Sequence, residues 1–98
     1  MQNVHFSWDA KKNHANKQKH GISFEEAQTV FYDENARLFF DDEHSHEEER
    51  YILLGFSQIL HLLVVCQCYR KSDKEIRIFS AREATKKESK FYKGGGEL

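Results

Sequence analysis

The chain has no proline, only two cysteines and only five glycines, three of which stand together at 94–96. Without proline or an internal glycine- or serine-rich stretch, nothing marks a linker. In 98 residues, 39% of them hydrophobic and 13% aromatic, there is material for one modest core, and dividing it would leave neither half a workable interior. A single domain over 1–93 is therefore expected, followed by a flexible tail at 94–98, because three glycines cannot hold a helix. No apolar run is long enough to span a bilayer, and the amino terminus lacks the basic-then-apolar layout of a signal peptide. The expected location is the cytoplasm, with no membrane partner. Cys66 and Cys68 alternate with Val65 and Gln67 in a strand-like run. They are expected to be reduced residues on one face of a sheet, too close for an easy disulfide and too few for a four-ligand zinc site. The chain also lacks a glycine-rich phosphate loop, zinc-finger spacing and a defensible Ser-His-Asp pattern, which leaves nucleotide hydrolysis and proteolysis poorly supported. No cofactor is expected.

Charge is abundant and unevenly placed. The formal net charge is −1, yet residues 41–49 carry six acids (Asp41, Asp42, Glu43, Glu47, Glu48, Glu49) and no lysine or arginine. Residues 70–93 carry nine basic residues against four acidic ones, a surplus of five. That separation fits one surface facing a polyanion and a second, acidic surface elsewhere. His44-Ser45-His46 followed by three glutamates has the composition of a metal-ligand cluster. It lies in a polar loop with no distant ligand motif to close a shell, so no metal site is expected.

Periodicity gives the elements. Val4–Trp8 reads as a short edge strand, Asp9 as the N-cap of a polar helix over Ala10–His20, and Gly21 as its left-handed stop. Ser23 and Glu26 form a capping box for a second helix, whose Phe24, Ala27, Val30 and Phe31 share one face and which runs to about Tyr32. Arg37–Phe40, Arg50–Phe56, Leu60–Tyr69 and Glu75–Ser80 read as strands, the middle two paired antiparallel through a short connection. A last helix is expected from Ala81 to about Tyr92. The fold class is α+β, a mostly antiparallel sheet with two N-terminal helices and one C-terminal helix.

The junction at Ser80-Ala81-Arg82-Glu83 carries the most information. Read as a Ser-x-x-Glu box, it begins the last helix, presents Arg82 and free amides at a positive dipole end, and aligns Arg82, Lys86, Lys90 and Lys93 along one helix side. Such a face suits phosphate, although a solvated helix face has the same pattern. Other groups capable of phosphodiester chemistry stand at element ends: Lys19 and His20 closing the first helix, Glu49 and Arg50 before a central strand, and Arg77 in the last strand. Histidine, lysine and glutamate move protons, and arginine stabilises charge while keeping its own proton. Each also has a structural reading, His20 as a dipole partner at a helix end and Arg50 and Arg77 as partners of nearby glutamates. Trp8, Tyr51, Tyr69, Phe79 and Tyr92 are the aromatics available for stacking bases or, equally, for the core.

Four motifs occur in an order that is familiar: Phe6-Ser7-Trp8-Asp9; Lys19-His20-Gly21-Ile22-Ser23-Phe24-Glu25-Glu26-Ala27; Glu49-Arg50-Tyr51 leading to Leu54-Gly55; and Arg77-Ile78-Phe79-Ser80-Ala81-Arg82-Glu83-Ala84-Thr85. Together they resemble the BrnT family of bacterial toxins, over about Phe6 to Tyr92. The resemblance implies a RelE-like α+β fold and a metal-independent endoribonuclease that cuts RNA and blocks translation. It further implies a BrnA-type ribbon-helix-helix antitoxin that binds the toxin in a hetero-oligomer and carries it to operator DNA. Ala10 departs from the pattern, which often has proline there. On this resemblance Arg50, Arg77 and Arg82 are expected to hold the phosphate, His20 or Lys19 and Glu49 to manage protons, and Lys86, Lys90 and Lys93 to bind RNA. Two other functions fit the same residues: a binding module that breaks no bond, and an inactive toxin relative serving as co-repressor.

Overall fold

Asp9 turns the chain from its first strand, β1 (His5–Ser7), into its first helix, α1 (Ala10–His20). Its carboxylate accepts the amides of Lys11 at 2.8 Å and Lys12 at 3.2 Å, two donors that have no partner within the helix. Gly21 closes α1 with φ of +74°, a left-handed conformation that costs glycine nothing. Ser23 then caps α2 (Phe24–Gln28), which tightens into a 3₁₀ turn over Thr29–Tyr32. The remaining elements are β2 (Arg37–Phe40), β3 (Tyr51–Phe56), β4 (Leu62–Arg70), β5 (Glu75–Glu83) and α3 (Lys86–Tyr92). This computed structural model describes residues 4–92. Lys93 and the expected tail at 94–98 lie outside the described residues.

The five strands form one sheet in the order β1-β5-β4-β3-β2, antiparallel except where β1 runs parallel to β5. Alternation along the strands sends Leu53, Leu63, Val65 and Ile78 to one face, where they meet Ile22, Phe24, Ala27 and Val30 of the helical layer. Trp8 packs edge-on against Phe24, with ring centroids 6.1 Å apart. The helical layer approaches so closely at Gly55 that a Cβ there would stand 2.8 Å from the Ala36 Cβ and 2.9 Å from a Val30 methyl.

β1 is short, and its register covers only Glu75 to Arg77 of β5. Farther along that edge a side chain substitutes for the missing strand. Asn16, buried on α1, donates from Nδ2 to the carbonyls of Ala81 (2.7 Å) and Ile22 (2.8 Å), and its Oδ1 accepts the Ala81 amide at 3.1 Å. One amide group thus satisfies both backbone atoms of an edge residue and locks α1 onto the sheet.

The C-terminal segment departs from the expectation. Ser80-Ala81-Arg82-Glu83 starts no helix; it is the last part of β5, with Ser80 opposite Cys66, Ala81 opposite Val65, Arg82 opposite Val64 and Glu83 opposite Leu63. A partner strand nine residues long offers each backbone group a ladder bond, which outweighs a local cap. The cap lies five residues on from Ser80. The Glu88 amide donates to Thr85 Oγ1 at 3.1 Å and the Thr85 amide donates to Glu88 Oε1 at 2.9 Å, a reciprocal capping box. Arg82 therefore belongs to a strand and Lys86 and Lys90 to a helix, so the expected single row of cations does not form. On the sheet face opposite α1 and α2, α3 is tied by Arg37, which donates to the Phe91 carbonyl at 2.7 Å, and by the Tyr92 hydroxyl, which donates to Asp33 at 2.8 Å.

Candidate functional site

Opposite the helical layer, the sheet carries a cavity of about 260 Å³ whose floor is Ile52, Val64 and Cys66 and whose rim includes Lys12, Arg50, Phe79 and Arg82. Its geometry rests on an irregularity in β5. Cys66 pairs with Ser80 and Gln67 with Ile78, leaving Phe79 as an extra residue on the bulged strand. The bulge interrupts alternation, so Phe79 and Ser80, neighbours in sequence, both line the cavity.

Three cations surround the Phe79 ring. The Arg50 guanidinium lies over it at 3.8 Å from the centroid, with the Lys12 ammonium at 5.6 Å and the Arg70 guanidinium at 5.9 Å. The ring's negative face holds such charges in place without neutralising them. Arg70 is also paired with Glu48 through both guanidinium and carboxylate edges, Nη2 to Oε1 being 3.0 Å, and that pairing first of all holds the Glu48 carboxyl below its usual range. Among the described residues Arg50 and Arg77 form no ion pair. The salt-bridge reading open for both in the sequence is thus not realised there. Arg50 stands at the cavity as an oriented, unneutralised cation, and its planar fork suits a phosphate.

Arg82 is held differently. It meets Glu88 of α3 fork to fork, Nη1 to Oε1 and Nη2 to Oε2 each at 2.8 Å. The pair drives the Glu88 carboxyl down to about 2, chiefly through the Arg82 hydrogen bonds, and raises the arginine. Across the cavity the Asp41 carboxylate, 8% exposed, accepts from His44 Nδ1 at 2.9 Å and from the Cys66 thiol at 3.6 Å. Burial first, and Asp41 second, push the Cys66 thiol up to about 11, so it remains protonated. Where the acidic loop borders the cavity its carboxylates are engaged: Asp41 accepts from His44, and Glu48 is paired with Arg70.

An open, cationic cavity with an aromatic ring on its rim, on a small α+β domain, is suited to an anion with a planar group attached. The family model described as "Ribonuclease toxin, BrnT, of type II toxin-antitoxin system" matches residues 8–88. The chain belongs to the BrnT family. Its fold is similar to that of the Brucella abortus ribonuclease toxin BrnT in its crystal structure, with a TM-score of 0.66 and 20% identity over 85% of this chain and 99% of that one. No curated protein matches the sequence.

Within this BrnT-family chain the expected site residues fall in three groups. Arg50 and Arg82 share the cavity, and Arg77 lies on the same sheet face, opposite Cys68 and beside Ser7 of β1. Lys19 and His20 end α1, Lys19 exposed and His20 half-buried, and Glu49 is exposed in the loop before β3; none of the three lines the cavity. Lys86 and Lys90 are exposed on α3, and Lys93 lies outside the described residues. The sequence marks Lys12, Asp41 and His44 as nothing more than surface and loop residues, and Phe79 only as one of five aromatics available for stacking or for the core. Lys12 looked like solvated helix surface, His44 like part of a metal-coloured loop, and no sequence signal marks the bulge that exposes Phe79. Among the described residues no three His, Cys, Asp or Glu side chains gather in a way that could hold a metal ion. No helix among them is long and apolar enough to cross a membrane.

Proposed function

We propose that this BrnT-family chain is an endoribonuclease that cleaves RNA without a metal, and that the cavity on the open sheet face is where the scissile phosphate binds. The observation that carries the proposal is Arg50, stacked over Phe79 beside Lys12 and free of any carboxylate. A guanidinium in that position offers paired N–H donors to a phosphate, and the aromatic ring beneath it gives a neighbouring base a surface to lie against. Arg82 stands at the same cavity with its charge matched by Glu88, and Arg77 adds a cation, unpaired among the described residues, on the same face of β5. Lys86 and Lys90, exposed on α3, are proposed to bind RNA beyond the cut, as is Lys93, which lies outside the described residues. Lys19, His20 and Glu49, to which the resemblance assigns proton handling, do not line the cavity. Alanine replacement of each tests that role.

The wider reading is a RelE-like cytoplasmic toxin that halts translation and is neutralised by a BrnA-type ribbon-helix-helix antitoxin, reaching operator DNA only within that complex. Tyr32, Ile59 and Leu60, residues exposed at 72%, 63% and 77%, support a docking surface for such a partner away from the cavity. Purified chain incubated in EDTA with end-labelled RNA, with and without the product of the adjacent gene, tests the reading. Cleavage to 2′,3′-cyclic phosphate ends that the partner suppresses is the expected result. Salt-sensitive binding of RNA that stays intact, on ribosomes as well as free, would replace the enzyme by a binding module.

A further inference from the structure

His44 and Asp41 form a dyad in the wall of the cavity. The Asp41 carboxylate is 8% exposed and the His44 ring 60% exposed, with His44 Nδ1 2.9 Å from Asp41 Oδ2. A carboxylate only accepts, so the neutral imidazole carries its proton on Nδ1 and leaves Nε2 with a free lone pair. The aspartate is itself braced. Its amide donates to the Arg50 carbonyl at 2.8 Å, its carbonyl accepts the Ser45 hydroxyl at 2.7 Å, and that hydroxyl accepts the Arg50 amide at 2.9 Å. The loop that holds the dyad is thereby fixed to the residue that holds the Phe79 ring. A histidine that merely closed the 3₁₀ turn over Asp42–His44 would need no buried carboxylate behind it and no cationic cavity in front.

We propose that His44 is the general base of RNA cleavage and Asp41 its positioning residue, which rests on the ribonuclease reading above. His44 Nε2 takes the proton of the ribose 2′-hydroxyl, the 2′ oxygen forms a bond to phosphorus, and the bond from phosphorus to the 5′ oxygen breaks. The imidazolium then returns its proton, through cavity water, to the departing 5′ oxygen. One proton moves from the 2′ to the 5′ oxygen, and the products are a 2′,3′-cyclic phosphate and a 5′-hydroxyl. Arg50, at the same cavity and in no ion pair among the described residues, stands where it stabilises the added phosphorane charge.

The charged and titratable groups around His44 come from every neighbouring element: Lys12 of α1, Arg50, Cys66 of β4, Arg82 of β5, and Lys87 and Glu88 of α3. Glu43, His46, Glu47 and Glu48 belong to its own loop or the cavities beside it. Imidazole is in general the side chain whose charge changes between about pH 5 and 8. His46 is therefore the control.

The test measures single-turnover cleavage of labelled RNA between about pH 5 and 9, together with RNA affinity by fluorescence anisotropy, for wild type, His44→Ala, His44→Gln, Asp41→Asn and His46→Gln. Both His44 variants are expected to lose about 100-fold or more in cleavage while binding RNA within about threefold of wild type, and to lose the acid limb of the pH–rate profile. Added imidazole restores cleavage to His44→Ala, which a folding defect would not allow. Asp41→Asn slows cleavage while RNA affinity is kept, because an amide can donate to His44 Nδ1 and so favour the tautomer that leaves Nε2 protonated. Wild-type cleavage with unchanged rates and acid limbs in both His44 variants would overturn the dyad and leave the ribonuclease reading standing. No cleavage by wild type, on ribosomes or free RNA, would overturn both.

Discussion

Gln67 is fully buried on β4, and neither polar atom of its side chain has a hydrogen-bond partner among the described residues. An amide held this way sacrifices hydration for nothing in return, so Gln67→Leu or Gln67→Met is expected to raise stability by about 1–2 kcal/mol in urea denaturation. A fall instead would mean that the amide has a partner in solution. Asn16 presents the opposite case. With both ends of its amide engaged on Ala81 and Ile22, Asn16→Ala leaves three buried backbone groups without that partner and is expected to cost about 2–4 kcal/mol. The two residues look equally polar in sequence, and only the missing strand beside Ala81 distinguishes them. Residue-scale chemistry at the site was legible to a similar extent. Arg50 and Arg82 are marked by charge, whereas Phe79, one of several aromatics, is set apart only by the bulge.

The first half of the chain was legible element by element. Asp9, Gly21 and Ser23 specify their boundaries through local hydrogen bonds and a local dihedral, and α1 runs over Ala10–His20 as the sequence indicates. At the other end a local signal lost to a distant one. The Ser-x-x-Glu pattern at Ser80 was overruled by pairing with β4, and the true box, Thr85 with Glu88, carries the same chemistry. Glu88 consequently serves α3 twice, as its cap and as the partner of Arg82. Its carboxyl lies near 2 when folded against an ordinary 4.5, so the contribution is complete above about pH 4.5 and fades as pH falls toward 2. Glu88→Gln is expected to flatten the acid side of the stability–pH curve and to loosen α3. A curve as steep as that of wild type would show that other carboxylates govern the acid limb. Close packing gives the element-scale counterpart on the helical face. Gly55→Ala pushes β3 against Ala36 and Val30 and is expected to cost about 1–3 kcal/mol, read from the urea midpoint.

Over the whole molecule, the sheet separates two tasks. One face is buried under α1 and α2 and supplies the core; the other, only partly roofed by α3, holds the cations. Charge asymmetry along the sequence pointed to a cationic surface, and the structure places cations from 12, 50, 70 and 82 around one sheet face. It also places the acidic loop beside that surface rather than away from it. Pairing of Asp41 with His44 and of Glu48 with Arg70 makes this tolerable, a resolution that depends on contacts between residues up to twenty-two positions apart and so was not readable from the loop itself.

The most direct measurement is single-turnover cleavage of labelled RNA in EDTA by wild type beside Arg50→Ala and Phe79→Ala. Wild type is expected to cut, Arg50→Ala to fall by about 100-fold or more, and Phe79→Ala to fall less, through loss of the surface that orients Arg50. Equal cutting by wild type and Arg50→Ala would contradict the assignment of this cavity as the place where the phosphate is held.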